Sequence, residues 1–397
     1  MPTLLVLAAG PLQLPAITTA KVMGLRVVAA DGTDHAPGLA LADASHVINI
    51  LDPDACLAVA RKEKIDGVIH ICSEVSMFAM GRINEELHLH GIDSATAVRA
   101  TNKEKMRRAF EAGGAPSPRS IGAATEEEAL AARQAVGYPL IIKPSRNSGS
   151  RGVTRLSDSE GKDAFLAAFA RAVKESRDAS AVIEEFVEGP EFSVEILTWN
   201  GQPRVLTVTD KVTTGSPSFV ETGHSQPTRL SPKDRQAVEA AAIAGVKALG
   251  IDWAASHAEI KLSPRGPYIM EIGARLGGDF ITTELVPRST GIDMVAGAIS
   301  LALGREPDLT PRHAMQGSSI RYLTPTPGRV IGIKGLDRAR QMPGVKIVDV
   351  EVAVGDTVPE ITSSLTRVGH VIAEGDDAAE AIARAEAARD AIEIIVE

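Results

Sequence analysis

The sequence predicts an α/β protein: a parallel-sheet domain first, a larger mixed domain in the middle, and a small α+β domain last. Three observations predict this. Apolar runs alternate with helix-like stretches over residues 3–71, at the spacing of βαβ units. In the middle, strand-like runs carry single glutamates at positions that are otherwise apolar. Toward residue 397, short strands surround one Ala/Glu/Arg-rich helix. A chain of 397 residues allows two or three domains and an ample core.

"TLLVLAA" (residues 3–9) reads as a first buried strand rather than a signal peptide, because no basic stretch precedes it. A helix-like stretch from Leu12 to Met23 follows, then "LRVVAAD" as a second strand and "DGVIHI" as a third. Asp31 closes the second strand where a dinucleotide fold holds ribose. The first turn, "AAGPLQLP", lacks GxGxxG, so a doubly wound domain without a dinucleotide is expected. Next, "TNKEKMRRAFEAGGAPSP" predicts a helix capped by Thr101, with Glu104 completing a capping box and Gly113, Gly114 and Pro116 ending it. The proline-bearing segment to Pro118 reads as a hinge.

Thr125 is expected to cap a helix that stops at Gly137, with acids in its first turn. "YPLIIKP" and "GVTRL" are strands joined by the loop "SRNSGSRG". A helix over about 159–176 leads to "AVIEEFV" and to "EFSVEILTW", which alternates as a half-buried strand does. "SHAEIKL" and "PYIMEIG" read as a hairpin around "SPRG". Beyond about residue 306, "RVIGIKG", "GVKIVDVEVAVGD" and "GHVIAEG" are strands, followed by a helix over 377–390 and the strand "IEIIVE".

Charge and composition exclude several function classes. The formal net charge is -9, which argues against general nucleic-acid binding, so any anion must be gripped locally. No apolar run approaches the roughly 18 residues of a membrane span. Cys56 and Cys72 have neither redox nor zinc spacing, and both are expected in the core. A soluble, cytoplasmic protein is expected.

The remaining polar motifs carry the chemistry of a nucleotide site. Lys103, Lys143 and the backbone N–H groups of "SRNSGSRG" suit phosphates. "EEFVEGPE" sets Glu184, Glu185 and Glu191 around an apolar pair. Glu259 and Glu271 each interrupt an apolar strand, where an unpaired carboxylate is costly, and two facing carboxylates can hold Mg²⁺. Each has a plainer alternative: Lys103 a solvated helix charge, the loop an ordinary hairpin, "EEFVEG" surface acids, His224 a loop histidine satisfied by backbone. Arg275 could simply pair with one of the glutamates.

The order of Lys103, Lys143, "SGSRG", "EEFVEGPEFSVE", "AEIKL" and "MEIGARLGG" resembles the ATP-grasp superfamily over about residues 100–306. The preceding βαβ region resembles the pre-ATP-grasp domain of that family. The resemblance implies domains at 1–98, 99–306 (with a lid over about 117–187) and 307–397. It implies that Lys103 and Lys143 bind ATP phosphates and that Ser148, Gly149, Ser150 and Gly152 belong to a loop closing over them. Glu184, Glu185 and Val187 would lie at the adenine edge and Glu191 at the ribose. Glu259 and Glu271 would hold Mg²⁺, with Mn²⁺ able to replace it.

One position departs from the family pattern: Gly273 stands where most members have Asn. "E-x-x-x-R" ending at Arg275, together with "ETGHSQP", resembles the amino-acid ligases that make dipeptides. By that resemblance Arg275 clamps phosphate, Glu221 meets a substrate amino group and His224 lines the acyl-phosphate site. Arg321 and Arg367 serve either the substrate carboxylate or only the fold. The expected reaction is ATP-dependent amide formation between a small carboxylate and an amine, both amino-acid-like, by a homodimer of the family type. Alternatives are a purine-pathway or carboxylase-type ATP-grasp enzyme, and a nucleotide-binding protein without turnover.

Overall fold

The computed structural model describes residues 1–149, 151–216 and 218–397. Four strands, β1 (Thr3–Leu7), β2 (Arg26–Asp31), β3 (Ala44–Val47) and β4 (Gly67–Ile69), form a parallel sheet in the order β3-β2-β1-β4. Every residue of β1 is buried, as a strand covered on both faces must be. Leu4 and Val6 pack with Ile17 of helix Leu14–Val22. Leu5 and Leu7 pack on the opposite side with Cys56 and Met77, from helices Pro53–Glu63 and Met77–Leu87. Asp31 closes β2, but its carboxylate accepts the backbone N–H groups of Ala9 (2.7 Å) and Thr33 (3.0 Å), so its oxygens are spent on the turn.

The expected cap at Thr101 is displaced by one residue. Thr101 ends the helix Ser94–Thr101, and its hydroxyl donates to the Ala97 carbonyl. Asn102 takes the extended conformation that a cap requires and accepts the Lys105 N–H at 2.9 Å, starting the helix Lys103–Ala112. Amide and hydroxyl caps are nearly equivalent, so backbone conformation decides between them.

Strands β5 (Ser120–Ala123), β6 (Leu140–Pro144), β7 (Thr154–Leu156) and β8 (Ala181–Glu185) make a second, antiparallel sheet in the order β5-β8-β6-β7. Helices Glu126–Val136 and Gly161–Glu175 cover it around Phe165, Leu140 and Ile183. Thr125 and Glu128 form a complete capping box on the first of these helices.

The central sheet has eight antiparallel strands. Five come from one stretch: β9 (Glu191–Trp199), β10 (Gln202–Thr213), β11 (Glu221–Gln226), β12 (Ala254–Ser263) and β13 (Gly266–Gly273). The following strands are β14 (Gly317–Tyr322), β15 (Gly328–Lys334), β16 (Val345–Val350), β17 (Thr357–Val358), β18 (Gly369–Gly375) and β19 (Glu393–Val396). The order in the central sheet is β13-β12-β9-β10-β11-β14-β18-β16, while β17-β15-β19 form a small separate sheet. The fold class is α/β as expected, but the sheet runs on across residue 306 because β11 pairs with β14. Among the described residues, no helix is long and apolar enough to cross a membrane.

Candidate active site

A cleft of about 210 Å³ lies between the four-stranded β5-β8-β6-β7 sheet and the face of β12 and β13. The β12–β13 hairpin sets its floor. Its register puts Glu259 directly opposite Glu271, so the two carboxylates share one face of the sheet. Lys143 enters from β6, and Lys103 enters from the first turn of its helix. Ser148, Gly149, Glu185, Val187, Glu191, Glu221 and Arg275 also line the cleft.

The charges are paired across chain segments distant in sequence. Lys103 Nζ lies 3.0 Å from Glu271 Oε2 and donates to the Asn147 carbonyl at 2.9 Å, tying the helix to the loop after β6. Burial opposes its charge, yet Glu271 and Glu74 hold the ammonium above its usual range. Lys143 Nζ lies 2.7 Å from Glu184 Oε2. Burial lowers Lys143 despite that partner, with Arg107 and Lys103 adding to the effect. Glu184 is also buried, but Arg107 and Lys143 outweigh burial and bring its pKa down to about 2. Its carboxylate is therefore committed to these two cations. The Val187 carbonyl, at the same wall of the cleft, accepts from Lys261 Nζ at 3.3 Å.

Arg107 was not singled out in the sequence. It clasps Glu184 with two guanidinium nitrogens and donates to the Ile269 and Met270 carbonyls. Its position four residues after Lys103 on a helix is the signal that could have found it. Lys211 was also missed. Its Nζ reaches Glu191 at 2.7 Å, Glu259 at 2.9 Å and Glu221 at 3.6 Å, so one buried cation joins three cleft acids. Burial disfavours that charge, but the three carboxylates raise it well above the usual lysine range. His257 completes this wall. Its Nδ1 lies 2.8 Å from the buried Glu195 Oε1, and Glu195 outweighs burial to raise the imidazole to about 9.

Arg275 lines the cleft with Nη2 3.7 Å from Glu74 Oε1, and its buried Nε has no protein partner. Gly273 leaves room for it: a Cβ at 273 would stand 3.1 Å from Arg275 Cζ. Glu74 is another residue the sequence reading missed. Burial first, then the charge of Glu271, pushes its carboxyl above the ordinary range.

The other candidate residues sit elsewhere. Gly152 lies at the base of the loop, with φ +73° and space closed by Glu175 and Pro144. Ser150 lies outside the described residues. His224 is buried beneath the Glu221 end, with Nε2 3.2 Å from Asp279 Oδ2. Arg367, on the same Asp279, donates to both of its carboxylate oxygens at 2.8 and 2.6 Å. Arg321 corrects the expectation of a substrate contact. It is 4% exposed and outside the cleft, bonded to Glu386, Ser225 Oγ, Ser319 Oγ and the His224 and Ile320 carbonyls. Those bonds occupy its guanidinium in joining β14 to β11 and the helix Ala378–Asp390.

Glu259 and Glu271 offer carboxylate oxygens on one face of the hairpin, with Lys211 Nζ (2.9 Å) and His257 Nε2 (3.6 Å) beside Glu259 and Lys103 Nζ (3.0 Å) beside Glu271. That donor set fits Mg²⁺, which prefers oxygen ligands and shares its positions with phosphates.

Two segments of the chain match known protein families. Residues 136–284 match the ATP-grasp domain, and residues 321–397 match the L-amino acid ligase C-terminal domain 2. The crystal structure of an L-amino acid ligase from Bacillus licheniformis superposes with a TM-score of 0.85 at 25% identity, covering 100% of this chain and 99% of that one. The alanine–anticapsin ligase of Bacillus subtilis is 29% identical over 258 residues, 60% of this chain and 54% of its own length. A formate-dependent phosphoribosylglycinamide formyltransferase from Ignicoccus hospitalis is 36% identical over 189 residues, 46% of each chain. Both matches thus span about half the length of the curated relative. The chain carries an ATP-grasp domain over residues 136–284 and a domain of the L-amino acid ligase type over residues 321–397, and along its whole length it is similar to a solved L-amino acid ligase.

Proposed function

We propose that the protein joins a small amino-acid-like carboxylate to an amine, making a peptide-like amide at the expense of ATP. One observation carries the reading: Glu259 and Glu271 face each other in a cleft whose other walls bring Lys103, Lys143 and Arg275 together. A carboxylate oxygen of the first substrate attacks the γ-phosphorus of ATP, and ADP leaves. The amine nitrogen then attacks the acyl carbon of the acyl phosphate, inorganic phosphate leaves, and the amine loses a proton.

The chain's own groups have separate tasks. Lys103 and Lys143 hold the phosphates, and Arg275 steadies charge on the transferring group. Ser148, Gly149, Ser150 and Gly152 belong to the loop that excludes water from the acyl phosphate. Glu184, Glu185 and Val187 border the adenine, and Glu191 the ribose. Glu221 takes the substrate amino group, and His224 supports the acyl-phosphate end through Asp279. Glu74, held above the ordinary carboxyl range, is suited to accept the amine proton near neutral pH. Glu259 and Glu271 would hold Mg²⁺, or Mn²⁺ in its place, and the ion when bound neutralises charge on the phosphates.

The test is to incubate the protein with ATP, Mg²⁺ and pooled amino acids. Phosphate release together with a new amide by mass spectrometry supports the reading. The 36% match favours a second reading, in which formate and phosphoribosylglycinamide are the substrates. Phosphate release that requires that pair, or bicarbonate, and not amino acids would replace the first reading with the second class.

A further inference from the structure

At the β14-β18-β16 end of the central sheet, one cross-strand row is polar. Tyr322 of β14 pairs with His370 of β18, and His370 pairs with Asp349 of β16. Glu351 follows Asp349 by two residues, the spacing that keeps a side chain on the same face of an extended strand. The candidate ligand atoms of Asp349, Glu351 and His370 all lie within 4.8 Å of one another.

Two further observations separate this group from an ordinary acidic edge. The His370 ring is 2% exposed, and neither Nδ1 nor Nε2 has a hydrogen-bond partner. A buried imidazole with both nitrogens idle is costly, and a partner normally satisfies it. Phe280 also stacks on the ring, with centroids 4.4 Å apart and planes 29° apart, which fixes its direction. Meanwhile, among the described residues, no Lys, Arg or His lies within ion-pairing distance of Asp349 or Glu351. Two close carboxylates without a cation repel each other.

We propose that Asp349, Glu351 and His370 form a binding site for one divalent first-row transition ion, with Zn²⁺ as the best match. An imidazole with two carboxylates suits Zn²⁺, whereas Mg²⁺ and Ca²⁺ favour all-oxygen sets. Burial lowers the His370 pKa, which keeps a lone pair available for a metal. β16 is the edge strand of the eight-stranded sheet, so the ion ties that edge to β18. It also fixes the ring under Phe280, the residue that follows Asp279, which is the shared partner of His224 and Arg367.

The experiment uses the full chain, stripped with chelator and free of nucleotide. Zn²⁺ is titrated by calorimetry, and Co²⁺ by visible absorption, into the wild type and an Asp349→Asn, Glu351→Gln double variant. Both substituted side chains are exposed, so the variant should fold, and circular dichroism checks this. Zinc held by the cleft glutamates appears in both proteins and cancels. The site predicts one more equivalent of Zn²⁺ in the wild type than in the double variant and a larger rise of Tm with Zn²⁺ in the wild type, while Mg²⁺ shifts the Tm of both proteins equally. His370→Ala should abolish the Co²⁺ absorption of this site; if that variant misfolds, the double variant still decides. Equal stoichiometry and equal Tm response in wild type and double variant overturn the proposal, as does an absence of Zn²⁺ binding.

Discussion

The ammonium of Lys103 stands 3.0 Å from Glu271 Oε2, so a phosphate-binding candidate and a metal-binding candidate neutralise each other in the free cleft. Phosphate and metal must each take one partner from this pair. Nucleotide and Mg²⁺ should therefore bind cooperatively, each weakly without the other. Glu271→Gln should cut turnover by at least about 100-fold while nucleotide affinity falls by less than about tenfold. Steady-state kinetics and calorimetry with ADP measure the two effects separately. A protein that binds nucleotide without turnover would show no turnover to lose.

Gly149 sits in the loop after β6 with φ +69°, a conformation closed to proline. The loop is largely exposed, so little of the core depends on it. Gly149→Pro should lower kcat by at least about tenfold and leave Tm within about 2 °C, because closure is lost rather than the fold. Thermal unfolding and turnover of the same preparation test this.

Gly273 touches Arg275 through the space where a side chain would be. Gly273→Ala should push the guanidinium off its position and lower kcat by about tenfold with little change in stability. Gly273→Asn should cost more. Equal activity in both variants would show that Arg275 does not need this approach.

His257 supplies a pH signature of stability. Its folded pKa of about 9 lies above the unfolded value of about 6.5. Its contribution is thus fully present below about pH 6.5 and is lost as pH rises through about 9, to a limit of about 3 kcal/mol. Denaturant unfolding of wild type and His257→Gln should converge as pH goes from 6 to about 9.5. A gap that stays constant over that window would contradict the Glu195–His257 pairing.

Much of this site was legible because it lies on regular elements. Glu259 and Glu271 stand out as acids in apolar strands, and a hairpin of period two puts them opposite each other. The capped helix exposed Lys103, though the cap is Asn102 and not Thr101. What was illegible depends on contacts between distant segments. Lys211 meets Glu259 across 48 positions, and Asp279 meets Arg367 across 88. No local pattern marks either pair. Arg321 misled because its face of β14 is set by pairing with β11 and β18, a long-range register that the sequence does not display.

The account rests on an acyl phosphate. The direct measurement is oxygen transfer: amino acids labelled with ¹⁸O in their carboxylates are supplied with ATP and Mg²⁺, and the released phosphate is analysed by mass spectrometry. The account predicts one ¹⁸O atom in each phosphate released with amide formation. Unlabelled phosphate accompanying amide formation would contradict it.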